Sequence, residues 1–191
     1  MKAYSYESVD STNSEARRFA ESIDLEAQLS EIQLGVVFIS KAQTEGRGQH
    51  GKSWLSEEGG LYYSLLVEGA LFRENDPHYY VYGVGHVVSD FLDDLTGLPV
   101  RLEYPNDVYI ADKKVGGILI EFCQCQGRPF AIVGIGINVN QTYFSDSLYL
   151  LATSLFLASG KTWDLESIGA SLTSRLMNAF QNDDWNTSPP L

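Results

Sequence analysis

Lys41-Ala42-Gln43-Thr44-Glu45-Gly46-Arg47-Gly48-Gln49-His50-Gly51-Lys52-Ser53-Trp54 decides how this chain is read. Gly46-x-Gly48-x-x-Gly51 matches the dinucleotide-binding fingerprint letter for letter. That fingerprint requires a helix opening directly behind the glycines, so that a pyrophosphate meets the helix N-terminus. Here the glycines run instead into Lys52-Ser53-Trp54-Leu55-Ser56-Glu57-Glu58-Gly59-Gly60, a stretch of polar breakers. An apolar run at residues 35–40 precedes the stretch and another at 61–67 follows it, both of strand length. The stretch therefore reads as a flap between two antiparallel strands, and a doubly wound parallel sheet is set aside.

The same stretch gathers Arg47, His50 and Lys52 in a chain whose net charge is -12. Backbone N–H groups exposed by glycine form anion-binding concavities, and the side chains add full positive charge. A phosphate or carboxylate ligand is the first hypothesis. The plain alternative is a hairpin whose glycines serve only turn geometry.

The chain has 191 residues, enough for one domain burying roughly 70% of the unfolded surface. A hydrophobic fraction of 44% and an aromatic fraction of 12% describe an ordinary globule. The acidity argues against sequence-independent DNA binding, which needs a basic surface. The N-terminus does not read as a signal peptide and no apolar run reaches transmembrane length, so a cytoplasmic protein without membrane contact is expected. Cys123 and Cys125 read as reduced thiols: a bridge between such near neighbours is strained, and no further cysteine completes a metal site.

The class is α+β. Residues 3–7 read as a strand, and Thr12 with Glu15 as a capping box opening a helix through Ala20. Tyr80, Val84, Val87, Val88, Phe91, Leu92 and Leu95 recur at helical spacing, with Gly83 and Gly85 permitting close packing on the sheet. Strands follow at 100–102, 108–110, 117–123 and 130–137, then helices at about 148–158 and 165–180. Residues 1–183 are expected to form one domain and 184–191 a frayed tail.

Two further segments carry chemistry. Tyr104-Pro105-Asn106-Asp107 presents an amide and a carboxylate beside a proline turn, and a hairpin with Lys113 and Lys114 near its tip leads into Gly116-Gly117. Ile132-Val133-Gly134-Ile135-Gly136-Ile137-Asn138 is an apolar strand broken by two glycines, a pattern that marks a bulge or backbone pressed against a neighbour.

Taken in order, these segments resemble the catalytic domain of the biotin protein ligases. The motifs are Ser11-Thr12-Asn13; Gln43-Thr44-Glu45-Gly46-Arg47-Gly48 with Gly51 and Trp54; Pro105-Asn106-Asp107; Lys114-Val115-Gly116-Gly117-Ile118-Leu119-Ile120-Glu121; and Gly134-Ile135-Gly136-Ile137-Asn138. The resemblance implies a mixed, largely antiparallel sheet flanked by helices, the class II synthetase-like fold of biotin and lipoate ligases. It implies a two-step reaction in which the biotin carboxylate attacks the α-phosphate of ATP and a lysine of a biotin carboxyl carrier domain then takes the acyl group. ATP and Mg²⁺ are implied as co-substrates, with the metal ligands unassigned. Arg47 and Lys114 are implied as the charge-neutralising catalytic pair. Ser11, Thr12, Asn13, Gln43, Gly48, Gln49, Gly116 and Gly117 are placed with Arg47 and Lys114 around biotin. Lys52, Trp54, Asn106 and Asn138 are placed with Arg47 around the nucleotide.

Two departures stand out. Gln49 stands where the family often has arginine, and Glu103-Tyr104 where it has Lys-Trp. Glu103 reverses a charge beside the expected anion site, which His50 or Lys52 compensates or which marks altered acceptor recognition or lost activity. A catalytic core without a repressor role is expected, with no DNA partner and room for a homodimer. A lipoate or octanoate transferase of the same fold and a non-catalytic biotin-binding homologue stay open as alternatives.

Overall fold

The computed structural model describes residues 1–22, 35–71, 77–145, 148, 151–183 and 185. Seven strands form one sheet in the order β1-β2-β3-β7-β6-β5-β4. They are β1 Lys2–Tyr6, β2 Val36–Ser40, β3 Gly60–Glu68, β4 Val100–Glu103, β5 Asp107–Ile110, β6 Lys113–Cys125 and β7 Arg128–Asn138. β1 and β2 are parallel; every other neighbouring pair is antiparallel. The sheet is thus mixed and largely antiparallel. β2 and β3 pair directly, from Val36 with Leu66 to Ser40 with Tyr62, so the glycine stretch is the flap between them.

Helix α1 (Thr12–Ser22) lies on one face of the sheet, and α2 (Pro77–Thr96) and α4 (Leu165–Asn182) lie on the other; a short α3, Leu155–Ser159, precedes α4. Strand alternation sorts the side chains. Val37, Leu65, Val67, Val133 and Ile135 join the large core with α2 and α4, while Val36, Phe38, Leu66 and Ile132 pack under Ala16 and Ala20 of α1.

Three details differ from the pattern expected of the sequence. The capping box does not form: Ser11 precedes the helix, its carbonyl accepting from Glu15 N, while the Thr12 hydroxyl points to Gln43 and Ser64. Among the described residues of the expected 148–158 helix the helix starts at Leu155 and runs to Ser159, because Ser154 caps it by accepting from Leu157 N. Upstream of that cap, Ala152 bridges to Lys114; residues 149 and 150 lie outside the described residues. Gly85 packs closely on Leu102 of β4 as expected, whereas Gly83 makes room for the Trp185 indole. Trp185 is buried against Tyr80 and Phe180, and the rest of 184–191 lies outside the described residues.

Candidate active site

The cleft opens where β7 lacks side chains. Ile132, Gly134 and Gly136 alternate onto the α1 face. Ile132 packs beneath α1, and beyond it the two glycines leave bare backbone. A Cβ at Gly136 would stand 2.6 Å from Trp54 Nε1, and one at Gly134 would collide with the Asn13 carboxamide. The neighbours that press on the glycine strand are therefore Asn13 of α1 and Trp54 of the flap. The resulting cleft is about 280 Å³.

Most of the residues singled out in the sequence meet in this cleft. Ser11, Thr12, Asn13, Gln43, Arg47, Gly48, Gln49, Lys52, Trp54, Asn106, Lys114 and Gly117 line it. Gly116 and Asn138 do not. Gly116 faces the Gly136 carbonyl, 3.1 Å from where its Cβ would lie. Asn138 is buried and donates to Thr153 O at 3.0 Å, tying the segment before α3 to β7. It follows Gly134 and Gly136 on the same face of β7, and its amide is engaged by the Thr153 carbonyl.

Hydrogen bonds build one end of the cleft. Gln43 Oε1 accepts from Thr12 N at 2.8 Å, and Gln43 Nε2 donates to Ser56 Oγ at 2.8 Å. Ser64 Oγ lies 2.8 Å from Thr12 Oγ1 and 2.6 Å from Asn13 Oδ1. Asn13 Nδ2 donates to Glu121 Oε2 at 2.7 Å. Ser64 and Glu121 carried no assigned role in the sequence. Ser64 had a readable signal, being the small polar residue within the buried run 61–67.

The two principal cations are already paired. Arg47 donates to Glu121 Oε2 at 3.0 Å and to Ser14 Oγ at 2.8 Å, which fastens the flap to β6 and α1. Lys114 Nζ lies 2.7 Å from Asp107 Oδ1 and 5.2 Å from the Trp54 ring centroid. A bulge aims this lysine: Val108 pairs with Gly116 and Tyr109 with Lys114, so Val115 is the extra residue. Lys114 thereby shares a face with Gly117, whose missing Cβ leaves room for Trp54 and the lysine stem. The Lys114 backbone is held by Leu151 O and Thr153 N, each at 2.9 Å.

Glu103 takes no part in the cleft lining. It accepts from Arg101 at 2.7 Å and is exposed, so the charge reversal seen in the sequence falls outside the cleft lining. Burial pushes the Tyr62 and Tyr63 hydroxyls well above the ordinary phenol value, so both cleft tyrosines stay protonated. The Arg18 guanidinium holds the Asp10 carboxyl at about 2, and Asp10 also accepts from Ser11 N at 2.6 Å at the start of α1. On β6, burial and then the neighbouring Cys125 push the Cys123 thiol up to about 11, so it is not a reactive thiolate. Asp107 is the one carboxylate among the described cleft-lining residues. No cluster of three or more His, Cys, Asp or Glu side chains forms a metal site among the described residues. No helix among them is long and apolar enough to cross a membrane.

Comparison with known proteins identifies the family and the fold. Residues 6–140 match the model of the biotin/lipoate A/B protein ligase family. The bifunctional ligase/repressor BirA of Bacillus spizizenii is 36% identical over 134 residues, which cover 68% of this chain and 41% of that protein. The biotin--[acetyl-CoA-carboxylase] ligase of Mycobacterium tuberculosis is 33% identical over 115 residues, 56% of this chain and 40% of that one. The chain thus spans about two fifths of the length of these curated relatives. Among solved structures, the biotin protein ligase from Aquifex aeolicus in complex with biotin and ATP superposes with a TM-score of 0.79 at 32% identity, covering 96% of this chain and 73% of that one.

Proposed function

The chain belongs to the biotin/lipoate A/B protein ligase family, and from that premise we propose that it is an ATP-dependent biotin protein ligase. The observation that carries the reading is the convergence of Arg47 and Lys114, from segments 67 residues apart in sequence (114 − 47), on one cleft with the Thr12–Gln43 hydrogen-bond network.

In the first step an oxygen of the biotin carboxylate attacks the α-phosphorus of ATP and pyrophosphate leaves. Two anions must meet, so the site has to supply positive charge. The planar Arg47 fork suits a bridge between carboxylate and phosphate, and Lys114 supplies a point charge. Both cations exchange or share their resident carboxylates, Glu121 and Asp107, when substrate arrives. Trp54, wedged on Gly136 and Gly117, offers an apolar wall with Lys114 beside it. In the second step the amine of a lysine on a biotin carboxyl carrier domain attacks the acyl carbon of biotinyl-5'-AMP and AMP leaves. No protein nucleophile is needed in either step.

Mg²⁺ belongs to this proposal as the companion of the triphosphate. It characteristically takes one or two carboxylates and completes its shell with phosphate and water. The single lining carboxylate, Asp107, fits that habit, and the metal would share the triphosphate charge with the two cations. ATP as co-substrate is in keeping with a cytoplasmic location. The acidic charge disfavours phosphate-backbone contacts, so this polypeptide is expected not to retard duplex DNA in a gel-shift at physiological salt, with or without biotin.

The deciding experiment is pyrophosphate release on mixing the protein with biotin and ATP, repeated with lipoate. Release with biotin alone supports the proposal. Release with lipoate alone would reassign the acyl group, and biotin binding without release would make the protein a binder.

A further inference from the structure

β4 is the last strand on its side of the sheet, and among the described residues no backbone group bonds to its outer edge. The Val100 N–H leans away from β5, to Asp93 Oδ2 at 3.4 Å. Outward-pointing backbone groups recur at every second residue of an antiparallel strand, so the Leu102 N–H and C=O also point away from β5. One residue thus offers a donor and an acceptor to a further strand. Such an edge invites any extended chain, and proteins commonly blunt it with charge.

The charges on β4 do more than blunt it. Arg101 and Glu103 flank Leu102, are about half exposed, and share the face that Leu102 does not use. The Arg101 guanidinium stands 4.5 Å from the Tyr109 ring centroid and donates to Glu103 at 2.7 Å, so both charged heads are held along the edge. A second β4 laid antiparallel about Leu102 exchanges both backbone bonds with it. Arg101 then faces Glu103 of the second copy, and Glu103 faces its Arg101. These are the pairs without mutual backbone bonds, in which the Cα atoms come within about 4.5 Å and the side chains are closest. Each carboxylate comes to lie between two guanidinium groups. Centring the pair on Val100 instead would set Arg101 against Pro99, so the sign pattern of Val100-Arg101-Leu102-Glu103 selects one register. That register also carries the exposed Tyr104 of the second copy over Val100, beside the apolar groove of Pro99, Val100 and Leu157.

We propose that the β4 edge is a self-association surface, on which a second copy of this chain pairs antiparallel about Leu102 and continues the sheet. Opposite charges across the pair admit the second copy, while a strand with other signs meets like charge or none. The inference is independent of the ligase reading.

Sedimentation velocity at physiological salt tests it. Four paired residues and one ring make a contact at the small end of specific interfaces, so a reversible dimer is expected to grow in between about 1 and 200 μM protein. Arg101→Glu and Glu103→Arg each set like charges opposite one another and are expected to stay monomeric over that range. Mixed in equal amounts, the acidic and the basic edge should dimerise again. Arg101→Glu/Glu103→Arg should dimerise by itself, because it restores both pairs with the signs exchanged. Each variant is checked for a cooperative thermal transition; exposed charges of this kind change stability little. If one single variant does not fold, the other carries the comparison with the double variant. A wild type that is monomeric at about 200 μM, a single variant as dimeric as the wild type, a mixture that does not associate, or a double variant that stays monomeric overturns the inference.

Discussion

The Lys114 ammonium lies 2.7 Å from the Asp107 carboxylate, across the turn that joins β5 to β6. Asp107 keeps the cation inside the cleft and oriented beside Trp54. In the proposed reaction it is also the group that an incoming substrate anion must displace or share. The same arrangement recurs at Arg47 with Glu121. The cleft thus holds its positive charge in place with carboxylates of its own.

Lys114→Ala is expected to fold normally and to lose adenylation. The side chain is about a third exposed, so truncation costs little stability. Removing one charge-stabilising donor typically lowers kcat by about 10²–10³-fold. Pyrophosphate release at the wild-type rate would show that another cation neutralises the charge.

Gly136→Ala tests the wedge. The new methyl group would stand 2.6 Å from Trp54 Nε1 and 2.7 Å from Cε2, on a strand hydrogen-bonded on both sides. The indole must leave its seat. Overpacking of this kind costs about 1–3 kcal/mol, so denaturant titration should show a lower midpoint, and adenylation should fall with it. An unchanged midpoint would mean that Trp54 swings aside freely.

Gln49→Arg bears on retention of the intermediate. Gln49 opens the short 3-10 turn Gln49–Gly51 and lines the cleft with a neutral amide. Charge-assisted hydrogen bonds are worth roughly 1.5–3 kcal/mol against about 1 for neutral ones, a gap that reaches tenfold in residence time. Single-turnover release of labelled biotinyl-adenylate should be slower from Gln49→Arg, with little change in the first chemical step. Equal release rates would assign the holding to His50 and Lys52, which line the same cleft.

Asp10 makes stability depend on acid. Its carboxyl titrates at about 2 in the folded chain against an ordinary 3.8, chiefly because Arg18 bonds to it. A depressed carboxylate contributes stability above its unfolded value and loses it as pH falls toward the folded one. Stability should therefore rise with pH between about 2 and 4, and Asp10→Asn should flatten that part of the profile. The pair is partly exposed and the contribution correspondingly modest. Thermal midpoints of the two proteins across this range provide the check; parallel curves would remove Asp10 from the account.

Much of this molecule is legible along the chain. Apolar alternation and helical spacing mark β2, β3, β7, α2 and α4, and the breakers behind Gly51 exclude the dinucleotide-binding reading. Local sterics and hydrogen bonding determine such features, so short windows of sequence contain them. The ordered motifs likewise identify most of the cleft lining, from Ser11 to Gly117.

What the sequence alone leaves open is which side chains meet. Asn13 and Glu121 stand 108 positions apart, and Arg47 and Glu121 stand 74 apart. They touch because β6 pairs with β7 in one register, with Glu121 opposite Ile132 under α1. A shift of one residue would turn Glu121 to the opposite face. The bulge at Val115 makes the same kind of choice for Lys114, and the Asn138 amide is engaged by Thr153 O, 15 residues further on. Pairing register is a property of the whole sheet, settled by burial of both its faces together. The sequence therefore named most of the residues that line the cleft, and the tertiary structure decided their partners.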